Sequence, residues 1–523
     1  MVVPFRAFSA FDHHVQHAPS RALVDSELGS MGYAEAAERV RRLINGFRAL
    51  GLGETDRVAV VSRNRTEVLL LILAALKGGP VIVPVNHRLA PSEMGWILED
   101  SDCCAVIAEA EFASALVGRI PVRVAPAARL LLGPAEEGWG SFESWLQAQG
   151  DEDRPPPADI GRAYLQVYTS GTTGRPKGVV LTEHNCLGQQ FGLMAAVDLM
   201  PRPGESVYQA LPLFHVGGIF ASLWSVYRGA SLLLRREFSP AVTEDLMACG
   251  NVAHAVLVPA MIRACLSACG GRRRDFDGLR SIIYGASPVT EDTLRAAAQR
   301  YGCDFVQIYG MTETHSVISV LDAEDHRRAL DGERAQLLGS AGRPVAGAVL
   351  RIVDGDGMEL GRGQVGEICV RAPQVMAGYW KRADATQEAL REGFLFTGDA
   401  GYLDGSGYLH IVDRLKDIIV SGGENVASTE VEEVLLCFPQ VADAAVIGVP
   451  DERWGEAVKA IVVCAGEELD EEQLMEHCRR HLGGFKVPRS ISRVDAIPRN
   501  GAGKILKARL REPYWAGVSR RVS

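Results

Sequence analysis

Apolar and polar positions alternate along the first part of the chain in a rhythm that switches between helical and strand-like spacing. Apolar residues recur at helical spacing over 34–50 and stop at Gly51, and a second helix is predicted over 66–77. Short apolar runs at 57–62 and 80–85 are typical of buried strands. Alternating helices and strands predict a layered α/β fold with a mostly parallel sheet.

The pattern changes after about residue 345. From there to residue 412, short apolar runs are separated by closely spaced turns, which predicts a mainly β region. The segment VDGDGMEL at 353–360 lacks the spacing of an EF-hand calcium loop, so a hairpin turn is the better interpretation.

A small α+β unit is predicted beyond residue 417. Thr429 and Glu432 have the spacing of a capping box for a helix that runs through Cys437. The apolar runs DAAVIGV and VKAIVVCA follow as strand candidates. The chain is therefore expected to divide into a large domain over 1–412, a junction at 413–417 and a small domain over 418–523.

Composition narrows the class of protein. A chain of 523 residues is too long for one ordinary hydrophobic core, which supports at least two domains. Hydrophobic residues make up 47% of the chain and charged residues 23%, as in soluble globular proteins. The net charge of −10 argues against nucleic acid as a general partner, because a protein surface that binds nucleic acid needs excess positive charge.

Cysteine usage and apolar runs bear on the compartment. The eleven cysteines include no CxxC pair and no zinc-ligand spacing, which predicts a reducing, cytoplasmic environment. The N-terminus lacks the apolar core of a signal peptide. The longest apolar run, Val68 to Leu76, is too short to cross a membrane, so no transmembrane segment is expected.

One polar loop stands out against this background, YTSGTTGRPKG at 168–178. Its glycines allow the backbone to turn N–H groups toward a ligand, its hydroxyls add donors, and Lys177 adds positive charge. Such a loop suits the oxygens of a polyphosphate. It lacks the Gly-Lys-Ser/Thr spacing of the common P-loop. A solvated turn is the plain alternative, but it would not need so many hydroxyl groups beside a lysine.

Lysine usage points to the same loop and to two later segments. Only eight of the 55 basic residues are lysines, and five of them lie in three short stretches, at Lys177, Lys416, Lys486, Lys504 and Lys507. A chain that otherwise uses arginine is expected to need the compact ammonium group at such positions. Lys507 is the one that we expect to be incidental.

The loop resembles the phosphate-binding signature of the adenylate-forming superfamily, which includes acyl-CoA synthetases, adenylation domains of peptide synthetases, and luciferases. Further segments resemble that superfamily's motifs in the same order. They are LPLFHVGG at 211–218, YGMTET at 309–314, GSAGRP at 339–344, FLFTGDAGYLDGSGYL at 394–409, DRLKDIIVSGGENV at 413–426 and PRNGAGKILK at 498–507. The resemblance runs from about residue 20 to the C-terminus.

The resemblance implies a fold and a reaction. The implied fold is α/β, with a large N-terminal domain of layered αβα sheets plus a small β-barrel-like part, and a small mobile α+β C-terminal domain. The implied reaction joins a carboxylic acid to AMP, releases pyrophosphate and passes the acyl group to CoA. ATP, Mg²⁺ and coenzyme A are the implied cofactor and co-substrates, and the attack needs positive charge around the α-phosphate.

The superfamily motifs assign roles to individual residues. Tyr309 is expected to stack on adenine, Thr312 to touch the α-phosphate and Glu313 to hold Mg²⁺. Asp399 and Arg414 are expected to bind the ribose. The full nucleotide-binding set implied by resemblance is Thr169, Ser170, Gly171, Thr172, Thr173, Gly174, Lys177, Gly285, Ala286, Ser287, Tyr309, Gly310, Met311, Thr312, Asp399, Arg414 and Lys504.

Two lysines carry mechanistic expectations. In PRNGAGK, Lys504 is expected to neutralise both the attacking carboxylate and the α-phosphate. Lys416 matches the superfamily's hinge position, about which the small domain rotates between adenylation and thioester formation. The implied catalytic set is Lys504, Glu313, Thr312 and His215.

The resemblance also outlines an acyl pocket and a CoA site. The implied acyl pocket consists of His215, Val216, Gly217, Gly218, Gly285, Ala286, Gly310, Met311 and His315, and its small residues are expected to leave room for a long or bulky acid. The implied CoA contacts are Ser421, Gly422, Gly423, Glu424, Gly484 and Lys486. The chain departs from the usual pattern at Gly483-Gly484, and at Ala427-Ser428, where an aromatic residue and proline are usual.

Several functions remain as alternatives at this point. A medium- or long-chain fatty acid is the leading substrate, with aryl or other bulky acids second. A separate carrier protein is the alternative acceptor to CoA, and a chain specialised for one half-reaction is a further interpretation. An oxidative luciferase and a non-catalytic nucleotide-binding regulator are remote; intact Thr312, Glu313 and Lys504 argue against the latter.

Overall fold

The computed structural model describes residues 6–169, 175–268, 274–422, 424–451, 453–466, 469–499 and 504–516. Its α-helices are α1 (Ser9–His17), α2 (Tyr33–Ala49), α3 (Thr66–Lys77), α4 (Pro91–Asp100), α5 (Ala110–Leu116), α6 (Phe142–Gln147), α7 (Glu183–Ala196), α8 (Val216–Tyr227), α9 (Pro240–Ala248), α10 (Pro259–Ala268), α11 (Glu291–Tyr301), α12 (Ala323–Leu330), α13 (Ala383–Ala389), α14 (Ser428–Leu436), α15 (Glu471–His481) and α16 (Lys507–Trp515). Short 3₁₀ helices span Pro126–Ala128, Thr312–Thr314, Ala335–Gly339 and Leu415–Asp417.

The strands form four sheets. In chain order they are β1 (Ala22–Ser26), β2 (Gly29–Gly32), β3 (Arg57–Val61), β4 (Val81–Val85), β5 (Cys103–Ala108), β6 (Arg129–Leu131), β7 (Gly140–Ser141), β8 (Ala163–Thr169), β9 (Lys177–Thr182), β10 (Ser206–Gln209), β11 (Ser231–Leu234), β12 (His254–Leu257), β13 (Ser281–Gly285), β14 (Asp304–Tyr309), β15 (Ser319–Leu321), β16 (Arg343–Pro344), β17 (Val349–Val353), β18 (Gly366–Arg371), β19 (Gly378–Tyr379), β20 (Leu390–Arg391), β21 (Phe394–Leu403), β22 (Leu409–Arg414), β23 (Ile419–Ser421), β24 (Glu424–Val426), β25 (Val441–Asp451), β26 (Gly455–Cys464) and β27 (Ser490–Arg493).

Two large sheets confirm the layered α/β expectation. One has the strand order β19-β9-β8-β4-β3-β5-β6-β7, and the other β16-β15-β14-β13-β12-β10-β11-β1-β2. Both are parallel at the centre and antiparallel only at an edge, for example where β8 pairs with β9 and β14 with β15. The helices and strands predicted for the first 85 residues are observed as α2, β3, α3 and β4.

Helix α3 explains the longest apolar run. Every residue of Val68–Leu76 is at most 3% exposed, so the run is a core helix packed between layers. Within the described ranges, no helix combines the length and the apolar character needed to span a membrane.

Two smaller sheets follow. The expected β-barrel-like part is a five-stranded antiparallel sheet in the order β17-β18-β21-β20, with β22 paired to β21. The predicted turn at 353–360 is confirmed, since the Gly357 N–H donates to the Asp354 carbonyl at 3.0 Å. The last sheet, β24-β23-β26-β25 with β27 beside β26, packs its apolar side against α14 and α15. The division at 413–417 and the hinge stay predictions.

The capping box predicted for the small unit is wrong, although its helix exists as α14. The Thr429 hydroxyl donates to the Val412 carbonyl at 2.6 Å, and the Glu432 carboxylate accepts the Val446 N–H at 2.8 Å. The helix begins two residues earlier than the capping box implies, at Ser428, after the N-cap residue Ala427, which has no capping side chain. Partners from other strands therefore replace the local ones that the spacing predicted.

Candidate functional site

A hairpin carries the two ends of the glycine-rich loop. β8 and β9 are antiparallel, and Thr169 lies opposite Lys177. Ser170, Gly171, Thr172, Thr173 and Gly174 lie outside the described residues. The pairing of Thr169 with Lys177 places both described ends of the loop at one edge of the eight-stranded sheet.

Tyr379 connects this hairpin to Glu313 and is a residue that sequence reasoning missed. Strand β19 pairs with β9, and the Lys177 ammonium lies 5.0 Å from the centre of the Tyr379 ring. The Tyr379 hydroxyl donates to Glu313 Oε1 at 2.8 Å. Burial, and then the Glu313 charge, raise the pKa of Tyr379, so its phenol stays a donor. The only sequence signal was an aromatic pair after Gly378, which has no phosphate chemistry of its own.

Glu313 fits a magnesium ion whose other ligands come from phosphates. It lies in the 3₁₀ helix Thr312–Thr314 and is 7% exposed. Among the described residues, no group of three or more His, Cys, Asp or Glu side chains is placed to hold a metal. Magnesium is commonly held by one or two carboxylates together with substrate phosphates and water. A single carboxylate that lies beside Thr312 and is linked through Tyr379 to the β8–β9 hairpin matches that donor set.

Three strands bring Asp399, Arg414 and Tyr309 together. Asp399 on β21 lies opposite Arg414 on β22, and the Arg414 Nε is 2.7 Å from Asp399 Oδ1. The Tyr309 hydroxyl, at the end of β14, donates to Asp399 Oδ2 at 2.7 Å. Burial, and then the Asp399 charge, raise the pKa of Tyr309. Asp399 is therefore held by a hydrogen bond from Tyr309 and by an ion pair with Arg414. Tyr309 makes this contact through its hydroxyl, and its stacking on adenine stays a prediction.

Lys504 lies within electrostatic range of this cluster. Desolvation by burial, and then the positive charge of Arg414, lower the pKa of Lys504 to about 8. The charges of Asp399 and Asp417 act in the opposite direction. The side chain still keeps an exposed face. The charges of Lys504, Arg414 and Asp399 thus lie close enough to influence one another.

Lys416 lies in the 3₁₀ helix Leu415–Asp417, directly after β22. Its carbonyl accepts from Arg511 Nη1 at 2.8 Å, and Arg511 is also bonded to Asp417. Desolvation lowers the pKa of Lys416. The predicted hinge is thus held by α16 in this conformation.

His215 is the N-cap residue of α8; it is half-buried, and its Nε2 atom is buried. Among the described residues, its Nε2 atom has no hydrogen-bond partner. Burial, and then the charge of Arg88, lower the pKa of His215 to about 4. The ring is therefore neutral near pH 7, and its Nε2 is a buried polar atom without a partner among the described residues. Val216 follows it as the first residue of α8.

The glycines of the expected acyl pocket differ in what they accommodate. A Cβ on Gly218 would lie 2.4 Å from the Pro212 carbonyl oxygen, and one on Gly285 would lie 2.3 Å from the Ile308 oxygen. A Cβ on Gly310 would lie 2.1 Å from the Ser316 oxygen. These three glycines are required by close backbone packing, so reading Gly218 and Gly285 as space for a bulky acid is wrong. Gly217 has open space, with the nearest atom at 3.9 Å.

The remaining expected site residues of this region lie in the segment after β13 and on either side of the 3₁₀ helix that contains Glu313. Ala286 is exposed with φ 71°, and Ser287 follows it half-buried. Met311 is half-buried before the 3₁₀ helix. His315 is fully buried, and its Nε2 lies 2.5 Å from the Tyr164 hydroxyl. Because it has no accessible surface, His315 does not line a pocket, contrary to the expectation.

The expected CoA residues lie around β23, β24 and the segment before β27. Ser421 is buried, and Gly422 is required because a Cβ there would lie 2.6 Å from Trp454. Glu424 and Gly484 are exposed, and Gly423 lies outside the described residues. The Lys486 ammonium lies 2.7 Å and 2.8 Å from the two carboxylate oxygens of Glu430. In this conformation Lys486 is thus paired with a carboxylate.

Lys507 is not incidental, contrary to the expectation. It is 9% exposed, and its ammonium lies 2.7 Å from Glu432 Oε1. It also donates to the Ser428 hydroxyl at 2.5 Å. A buried lysine needs such partners because an unpaired buried charge is costly.

Comparison with known proteins places this geometry in a family. Residues 11–380 match the AMP-binding enzyme family, and residues 430–504 match the AMP-binding enzyme C-terminal domain. The fatty acid–[acyl-carrier-protein] ligase ScoC of Streptomyces coeruleorubidus is 36% identical over 515 residues, covering 98% of this chain and 96% of that protein. A feruloyl-CoA synthase of Amycolatopsis sp is 38% identical over 487 residues, covering 93% of this chain and 94% of that protein.

A solved structure agrees with these matches over the whole chain. The crystal structure of ATP-bound MatB from Rhodopseudomonas palustris superposes with a TM-score of 0.86 at 30% identity, covering 98% of this chain and 99% of that one. The chain therefore belongs to the AMP-binding enzyme family, as an acyl-CoA synthetase-like member of the adenylate-forming superfamily.

Proposed function

We propose that this enzyme activates a carboxylic acid with ATP and transfers the acyl group to coenzyme A. In the first half-reaction a carboxylate oxygen attacks the α-phosphorus, and the bond to the bridging oxygen breaks to release pyrophosphate. In the second, the CoA thiol loses its proton and attacks the acyl carbon, and AMP leaves. Coenzyme A is the leading acceptor, and a carrier protein is the alternative that similarity to ScoC supports.

The observation that carries the proposal is the convergence of Tyr309, Asp399 and Arg414 with Lys504. A buried carboxylate held by one hydrogen bond and one ion pair suits a ligand with adjacent hydroxyls, such as a ribose, because its orientation costs little to maintain. Lys504 then supplies positive charge where a carboxylate and a phosphate must approach each other. Protein charges arranged before the reaction are more effective than water, which must reorganise.

The phosphate side of the site supports the same assignment. Lys177 and the loop from Thr169 would contact the outer phosphates, and Thr312 the α-phosphate. Glu313, oriented by Tyr379, would hold Mg²⁺. When bound, the metal neutralises phosphate charge and lowers repulsion toward the incoming carboxylate.

The acid is proposed to carry an uncharged tail, with a medium- or long-chain fatty acid leading and an aryl acid second. Val216, Gly217 and Met311 carry no charge, and His215 is neutral near pH 7 because its pKa is lowered to about 4. A second carboxylate would meet no opposite charge from these residues. The relatives support both classes, since one is named for a fatty acid and the other for feruloyl-CoA.

Mass spectrometry of products tests the proposal. The purified protein is incubated with ATP, Mg²⁺, CoA and a pooled panel of fatty, aromatic and polycyclic acids, with Lys504→Ala as the matched control. Acyl-CoA from one acid class supports the proposal and names the substrate. Acyl-AMP without acyl-CoA contradicts the CoA assignment and favours a carrier protein. The absence of both products, also when a preformed acyl-adenylate is supplied with CoA, contradicts both half-reactions.

A further inference from the structure

The N-terminus of α14 is capped from another part of the chain. The backbone N–H and the hydroxyl of Ser428 both donate to Asp413 Oδ2, at 2.7 Å and 2.5 Å. Ser428 is fully buried and Asp413 is 5% exposed. The first N–H groups of a helix have no partner within the helix, and a carboxylate there is favoured by the helix dipole. Asp413 therefore supplies the N-terminal cap that the side chain of Ala427 cannot provide.

Lys507 extends this contact into a buried relay. Its ammonium donates to the Ser428 hydroxyl at 2.5 Å and lies 2.7 Å from Glu432 Oε1, one turn further along α14. The Ser428 hydroxyl thus accepts from Lys507 and donates to Asp413. Each polar group in the relay has a partner, which makes the arrangement stable in a buried setting.

The relay connects segments that carry residues of the proposed active site. Asp413 is adjacent to Arg414, which pairs with Asp399. Lys507 follows Lys504 by three residues, so their Cα atoms are within about 11 Å of each other. The predicted hinge residue Lys416 lies in sequence between Asp413 and Ser428. The relay therefore joins the two sides of the predicted hinge.

We propose that Asp413, Ser428 and Lys507 are positioning residues that hold Lys504 beside Asp399 and Arg414 for the adenylation half-reaction. The proposal rests on the proposed function. Rotation about Lys416 would separate Asp413 from Ser428, so the relay favours the present arrangement and must break for the second half-reaction. Proline at position 428 would lack both donors, so the relay depends on the serine.

Substitutions at Ser428 test the relay directly, because Ser428 is its central residue. Ser428→Pro removes both donors, and proline is well tolerated as the first residue of a helix. Ser428→Ala removes only the hydroxyl, and Ser428→Thr retains it. Arg493→Met is the matched control, because it removes an exposed ion pair with Glu471 inside the same small unit.

The half-reactions are measured separately with dodecanoate as the probe acid, or with the acid that the product screen identifies. We expect Ser428→Pro to slow acid-dependent ATP–pyrophosphate exchange by about tenfold, a change of the size expected from imperfect placement of one charged group. Thioester formation from synthetic acyl-AMP and CoA should stay within about twofold or become faster. Ser428→Ala should show a smaller loss, and Ser428→Thr should restore exchange. Equal loss in both half-reactions, or no loss in exchange, overturns the proposal.

Hydrogen exchange separates this proposal from the function on which it rests. In the ligand-free protein, peptides spanning 413–428 and 504–510 should exchange faster in Ser428→Pro than in wild type, and should be unchanged in Arg493→Met. Unchanged exchange in Ser428→Pro overturns the relay, whatever the enzyme's substrate. If the wild type activates no acid but Ser428→Pro still exchanges faster than the wild type in these peptides, the result counts against the proposed function alone.

Discussion

The nucleotide side of the site and the proposed thiol-acceptor side are built differently. On the nucleotide side, Asp399 is 6% exposed; one carboxylate oxygen accepts from Tyr309, and the other forms an ion pair with Arg414. On the acceptor side, Glu424 is exposed, and Lys486 pairs with Glu430, whose side chain is 44% exposed. Asp399 is thus fixed by buried contacts, whereas Glu424 and the Lys486–Glu430 pair on the acceptor side are exposed or partly exposed.

This difference indicates which chemistry the present conformation serves. Buried, oriented charges act without reorganisation, so they suit the attack on the α-phosphate. Exposed pairs are worth little and can be exchanged for a ligand's charge. Substitutions on the nucleotide side should therefore be costly for adenylation, whereas those on the acceptor side should be mild and confined to the thiol step.

The largest effect is expected for Lys504→Ala. Loss of the ammonium should reduce acyl-AMP formation by about 100-fold or more, because it removes the positive charge proposed to neutralise the carboxylate and the α-phosphate. Thioester formation from preformed acyl-AMP should be spared. Rapid-quench measurement of each half-reaction decides this, with Lys381→Ala as a control for an exposed lysine paired to Asp102. Equal loss in both half-reactions would break the division between the two sides.

A large effect of the opposite kind is expected for Lys416→Pro. A 3₁₀ helix has φ values that proline can adopt, so the present conformation should survive while rotation is restricted. Thioester formation should fall by about 30-fold and adenylation by less than about threefold. The same two assays measure this, and a greater loss in adenylation would refute the hinge assignment.

The pH dependence of adenylation should sharpen the nucleotide side. With its pKa lowered to about 8, Lys504 is charged below that pH and loses its proton above it. The kcat/KM for adenylation should thus fall by about tenfold for each pH unit beyond that point. Lys504→Arg should lack this decline, since a guanidinium remains charged. A wild-type profile that stays flat to pH 10 would contradict the role of the ammonium.

A moderate effect is expected for Tyr379→Phe. Removing the hydroxyl takes one donor from Glu313 and should raise the KM for Mg·ATP by roughly tenfold, near the lower end of the effect expected for a hydrogen bond to a charged group. Titration with Mg²⁺ at fixed ATP is the measurement. Tyr402→Phe serves as a control outside the site, and an unchanged KM would remove Tyr379 from the nucleotide side.

The smallest effect is expected for Lys486→Ala on the acceptor side. The free energy of unfolding should change by less than about 1 kcal/mol, because the pair with Glu430 is partly exposed. The KM for CoA should rise by about threefold if Lys486 meets CoA phosphates. Denaturant unfolding and steady-state kinetics check both values. A KM for CoA that does not move would exclude Lys486 from the acceptor site.

The local elements were predictable because their signals lie within a few residues. Helices α2 and α3 and strands β3 and β4 follow from spacing that repeats over one turn or one pleat. The contiguous motifs also identified the superfamily. The capping box failed because Thr429 and Glu432 found partners in Val412 and Val446, which local spacing does not report.

By itself, the sequence determined the fold class, the family and the candidate chemical groups, because those depend on residue types and on short-range periodicity. Only the tertiary structure decided which groups meet. It joined Asp399 to Tyr309 and Arg414, gave Tyr379 its contact with Glu313, and buried Lys507 against Ser428. It also showed that Gly285 serves backbone packing. The physical reason is that hydrogen bonds and ion pairs select partners by distance in the packed chain, where residues far apart in sequence become neighbours.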